Sequence, residues 1–141
     1  MNRAKTLEFF VRRDAVWQRH DSVALAADHA EDGEVDSPVF GKVNGRSAIQ
    51  YSYGQWFLSF PDAEYVTEHL LIDRSEVVQF VKMSGTQKGE FCGLAATGKR
   101  FEIRCAFYFS FANDKIAREI RIYDFTGALL QLGVLKAKPA F

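Results

Sequence analysis

Two hydrophobic periodicities divide the chain at Pro61. Before it, apolar residues recur at helical spacing; after it, they alternate. Residues 4–19 place Leu7, Phe10, Val11 and Trp17 at roughly helical intervals among charges, predicting a first helix. In HDSVALAADH, Asp21 or Ser22 can cap a short second helix. The stretch EDGEVDSPVFG reads as extended and turn-rich, and GRSAIQYSYGQWFLSF as a third helix stopped by Pro61.

Beyond Pro61, AEYVTEHLLID, EVVQFVKMSGTQKG, KRFEIRCAFYFSF and KIAREIRIY predict four strands. The third alternates most clearly. Phe101, Ile103, Cys105, Phe107, Phe109 and Phe111 share one face, and Glu102, Arg104, Ala106, Tyr108 and Ser110 the other. Asn113–Asp114 suits a two-residue hairpin turn. Counting outward from it opposes Phe111 to Ile116, Phe107 to Ile120, Cys105 to Ile122 and Ile103 to Asp124. That register sends Ile116, Ile120 and Ile122 inward and Glu119, Arg121 and Tyr123 outward. It also sets Asp124 on the apolar face, just before a last helix at 125–132. Helices followed by antiparallel strands predict an α+β fold with helices on one side of a curved sheet.

The 141 residues suit one domain, and hydrophobic residues make up 48% of them. Thirteen Phe are enough to fill a core or to line an apolar cavity. Lys plus Arg and Asp plus Glu both number 18, with no basic run, which argues against nucleic acid as a partner. Two cysteines and three scattered histidines have neither disulfide-framework nor metal-ligand spacing, so no metal is expected. The charged N-terminus does not read as a signal peptide, and no apolar run approaches the ~20 residues of a membrane span. A soluble, cytoplasmic protein is expected.

Several residues admit two readings. Asp124 is the N-cap of the last helix, a cavity-facing acid/base, or both, with one oxygen for each. His29 is a half-buried histidine bonded to backbone, or a pocket wall. Trp17, Phe40, Tyr53, Trp56 and Phe57 are plain core or cavity lining, as is Phe107 on the inward face of its strand. Met83 and Gln87 share a parity and can face the same cavity. Arg104, Tyr108, Glu119, Arg121 and Tyr123 form a mixed charged and aromatic outer face, either solvated or a contact between copies. Cys92 has no evident base beside it.

The blocks GRSAIQYSYGQWFLSFPD, SGTQKGEFCGLAATGKRFEI and NDKIAREIRIYDFTGALLQLG resemble successive blocks of the SnoaL-like polyketide cyclases, within the nuclear transport factor 2-like superfamily. The resemblance runs from about residue 20 to residue 134. It implies a single cystatin-like domain over 1–141: a cone-shaped, curved antiparallel sheet with the N-terminal helices on its concave face and an apolar pocket inside. It implies Asp124 as general acid/base for an aldol closure, isomerisation or dehydration of an apolar carbonyl compound. It implies no cofactor, and a homodimer through the convex sheet face. Gln87 departs from the pattern, standing where many relatives carry histidine, and no histidine follows His69. The second functional expectation is therefore a non-catalytic module that binds a hydrophobic ligand.

Overall fold

The computed structural model describes residues 1–137. Helix α1 spans Arg3–Gln18, α2 Ser22–Ala27, α3 Arg46–Ser59 and α4 Phe125–Gln131. Strands β1 (His29–Ser37) and β2 (Gly41–Asn44) lie between α2 and α3, and β3 (Glu64–Asp73), β4 (Glu76–Thr86), β5 (Arg100–Ala112) and β6 (Lys115–Tyr123) follow α3. Of the two cap candidates, Asp21 caps α2, accepting from Ala24 N–H at 2.9 Å.

One curved, unclosed sheet takes the order β2-β1-β6-β5-β4-β3. Its pairs are antiparallel except β1 with β6, which run parallel. The expected all-antiparallel sheet is corrected there: β1 arrives from the helical half of the chain and joins the free edge of β6. The inward rows of β4 and β5 meet α1, α3 and α4. Phe10, Trp17, Ile49, Tyr53, Val81, Phe107 and Phe109 form the centre of this core.

Two expected alternations fail, with consequences for the site. On α1 the inward stripe is Thr6, Phe10, Arg13 and Trp17, while Leu7 and Val11 are exposed. On β6 the hairpin begins as predicted, with Asn113 and Asp114 at positive φ and Phe111 opposite Ile116. A bulge then leaves Ala117 without a partner, so Ser110 faces Arg118. A one-residue slip moves every later side chain to the other face. Glu119, Arg121 and Tyr123 therefore oppose Phe109, Phe107 and Cys105 on the concave side, and Ile120 and Ile122 point out. The outer face expected for those three polar residues is corrected accordingly; Arg104 and Tyr108 do lie on it.

Candidate functional site

A small cavity of about 20 Å³ lies between α1, α3 and the concave sheet. Trp17 comes from α1, and Ser52, Tyr53 and Trp56 from α3. Met83, Ile103 and Phe107 come from β4 and β5, Arg121 and Tyr123 from β6, and Phe40 from the β1–β2 turn. Its volume accepts roughly one or two waters. Phe40, 37% exposed, also borders two outer grooves of about 440 and 370 Å³. With Ser52, which also borders the larger groove, it stands between the interior and solvent. Gly41, at φ +62°, follows it as the first residue of β2.

Behind the cavity lies a buried polar cluster. The Tyr53 hydroxyl accepts from Arg13 Nη2 at 2.6 Å and from Arg121 Nη2 at 2.9 Å. It also lies 3.0 Å from His29 Nε2. Two guanidinium donors occupy the phenol oxygen, so its own proton goes to His29. Nε2 is then the acceptor, and the imidazole proton sits on Nδ1. Arg121 Nε donates to Glu119, and Arg13 pairs with Asp28 at 2.9 Å. Asp28 also pairs with the half-exposed Arg12 at 2.6 Å, so three guanidinium groups share the two carboxylates. The sequence basis is the α1 stripe that carries Arg13 inward and the β6 bulge that does the same for Glu119 and Arg121.

The environment sets the protonation states. Burial, with the charges of Arg13, Arg121 and Arg46, holds His29 well below its ordinary value, so it is neutral. Burial raises Tyr53 against the pull of Arg13. Burial pushes Tyr123 up to about 12, against Arg121. For Arg121 burial works downward, but Glu119 and Tyr53 outweigh it, and the guanidinium stays charged. The titratable groups on the wall are therefore one cation and two neutral phenols. None of them is a base near neutral pH.

Asp124 is the N-cap of α4: its Oδ1 accepts from Gly127 N–H at 2.8 Å. It is exposed and does not line the cavity, which corrects its expected place on the apolar face. The β6 bulge removes it from that register. Trp17, Phe40, Tyr53, Trp56, Met83 and Phe107 all line the cavity. Phe57 does not; it packs edge-on against Trp17 and stacks on His20. His29 stands behind Tyr53, fully buried. Gln87 is buried elsewhere, where Nε2 donates to the carbonyls of Leu94 and Ala95 at 3.1 and 3.2 Å and ties down the 88–98 loop. Ser52, Arg121 and Tyr123 are wall residues that the sequence pattern does not find, while Ile103 lies on the inward face that alternation assigns to it. Among the described residues no group of His, Cys, Asp and Glu is arranged to hold a metal, and no helix is long and apolar enough to cross a membrane.

The SnoaL-like polyketide cyclase profile matches residues 9–132, and the chain belongs to that family. None of the curated protein sequences matches it. Solved structures share the fold at low identity. AclR from Streptomyces galilaeus is 19% identical over 99% of this chain and 87% of its own, with a TM-score of 0.84. TsrD from Streptomyces laurentii is 21% identical over 96% and 99%, also at 0.84. A SnoaL-like protein from Jannaschia sp. CCS1 is 15% identical over 94% of each chain, at 0.80. A ketosteroid isomerase-like protein from Catenulispora acidiphila shares the architecture at 0.74.

Proposed function

We propose that the protein binds a compact apolar carbonyl compound in this cavity and polarises its oxygen with Arg121, assisted by the hydroxyl of Tyr123. The observation that carries this is Arg121: a charged guanidinium on the wall of an otherwise aromatic and aliphatic cavity. Its ion pair with Glu119 behind the wall keeps it ionised and aimed. Such a group stabilises negative charge on a carbonyl oxygen as a neighbouring proton leaves. The reaction class is enolisation without a cofactor, as in isomerisation or intramolecular aldol closure. The family and this wall support that class together. Because the wall holds no base, the proton leaves to water or to another group of the substrate.

The test is deuterium exchange from solvent into the α-position of 2-tetralone, followed by mass spectrometry, with binding read separately by tryptophan fluorescence. Both tryptophans of the chain line the cavity, so their emission reports occupancy. Binding with exchange above background in the wild type, lost in Arg121→Gln/Glu119→Gln, supports the reading. Binding without exchange supports a second one, a ligand carrier, which the position of Asp124 outside the cavity favours. No binding rejects both.

We also propose that copies associate through the convex sheet face. Leu71, Val78, Tyr108 and Ile120 form one outward cross-strand row, and His69, Phe80, Ala106 and Ile122 the next. Phe80, Leu71 and Ile122 are 40, 59 and 65% exposed. Around them lie both Glu68 and Arg104, and both Glu76 and Arg118. A patch with an apolar centre and both charges at its edge can meet its own copy about a two-fold axis.

A further inference from the structure

Buried donors in folded proteins are almost always paired. Trp17 Nε1 and Trp56 Nε1 are both buried and have no hydrogen-bond partner, and both rings line the Arg121 cavity. Neither ring is free to turn toward an acceptor elsewhere. Trp17 lies flat on Tyr65 with centroids 4.3 Å apart, and meets Tyr53 and Phe57 edge-on. Trp56 is packed by Phe60, Phe91 and Phe101. The second small void beside Trp56 is lined by apolar groups and the Tyr123 ring, and its exposed lining is wholly apolar. The protein thus holds two buried, unpartnered indole N–H groups on fixed rings that line one cavity.

We propose that Trp17 and Trp56 are specificity-determining residues, each donating its N–H to an acceptor oxygen of the ligand. This rests on the functional reading above and sharpens it. The indoles, Arg121 and the Tyr123 hydroxyl make the wall rich in donors. A compound with two acceptor oxygens satisfies both indoles, while a hydrocarbon of the same outline leaves them unmet and adds the loss of any water there. The cavity therefore selects for paired acceptors and against shape-matched apolar molecules. Admission of such a ligand requires the wall at Phe40 to give way, since the space inside holds only waters.

The experiment compares 2,3-dimethyl-1,4-naphthoquinone with 1,2,3,4-tetramethylnaphthalene, in which methyl groups replace both oxygens, by isothermal titration calorimetry. The wild type is expected to bind the quinone at least about tenfold more tightly. Benzothienylalanine, which replaces the indole N–H by sulfur and keeps the ring outline, is then placed at position 17 or 56. Each replacement is expected to weaken quinone binding about five- to tenfold and to leave the hydrocarbon unchanged. The urea midpoint of the free protein should not fall, because the N–H removed had no partner; this also shows that the variant folds. Equal affinity for the two probes, or quinone affinity untouched by both replacements, overturns the proposal alone. A lowered urea midpoint with unchanged quinone binding does so too, by showing that the N–H serves the fold. Failure of both probes to bind the wild type overturns the functional reading beneath it.

Discussion

Glu119 and Arg121 form an ion pair on the concave face of β6, at the two positions where simple alternation from Ile116 predicts exposed side chains. Glu119 is buried and the Arg121 side chain nearly so. Removing one partner of a buried pair leaves the other charge uncompensated. Arg121→Met is expected to destabilise the fold by about 3–5 kcal/mol. Arg121→Gln/Glu119→Gln removes both charges and leaves two amides able to bond each other, so its loss should be clearly smaller. Urea unfolding of the three proteins checks this. A double variant as unstable as the single one would contradict the pairing.

Asp124 ends β6 and starts α4, and its carboxylate caps the helix rather than facing the cavity. Asn caps about as well as Asp, so Asp124→Asn should change stability by only a few tenths of a kcal/mol, while Asp124→Ala should cost about 1 kcal/mol. Neither should alter ligand binding or α-proton exchange. Gly127 supplies the N–H of this cap, and a Cβ built on it would fall on the Asp124 carboxylate. Gly127→Ala should therefore displace the capping carboxylate, a loss of up to about 1 kcal/mol that the better helix propensity of alanine partly offsets. A loss of turnover confined to Asp124→Asn would restore the acid/base role to this residue.

The sequence carries much of this architecture. Each strand and helix after Pro61 is legible because one side of it is buried, and burial imposes a period. Trp17, Tyr53, Trp56, Met83 and Phe107 are legible as wall candidates for the same reason. Arg121 and Tyr123 are not. Their parity depends on one unpaired residue, Ala117, and nothing in KIAREIRIY marks it: both parities carry apolar groups. Arg13 is hidden differently. Read with Thr6, Phe10 and Trp17 it completes a helical stripe, but a charge on the buried side of a helix conflicts with the ordinary pattern. The resemblance to the family leads correctly to the fold and, through Asp124, to the wrong side of the β6–α4 junction.

His29 gives stability a pH dependence with a definite sign. Its folded value lies well below the ordinary 6.5, through burial first and then Arg13, Arg121 and Arg46. The unfolded chain therefore binds a proton near pH 6.5 that the folded chain refuses. Stability from this site is full above that pH and is lost as the pH falls toward the folded value. The urea midpoint of the wild type should decline below pH 6.5. His29→Gln keeps an acceptor for the Tyr53 hydroxyl and removes the titration, so its midpoint should decline less over the same interval. Asp14, raised above its ordinary 3.8 mainly by burial, acts with opposite sign. Parallel declines in the two proteins would mean that His29 is not the group responsible.

The β6 bulge has a second consequence on the outer face, where it sets Ile120 and Ile122 beside Tyr108 and Ala106. A contact through this patch should lose its apolar centre on Ile122→Glu. Sedimentation at micromolar concentration should then show a dimer for the wild type and a monomer for the variant. Ile122 is 65% exposed, so the substitution leaves the core and the cavity untouched. Ligand affinity per chain should stay the same. Glu119→Gln alters a buried residue on the opposite face and should leave assembly unchanged. If the wild type sediments as a monomer, the convex face is no self-contact. If Ile122→Glu remains dimeric, the copies meet on another surface.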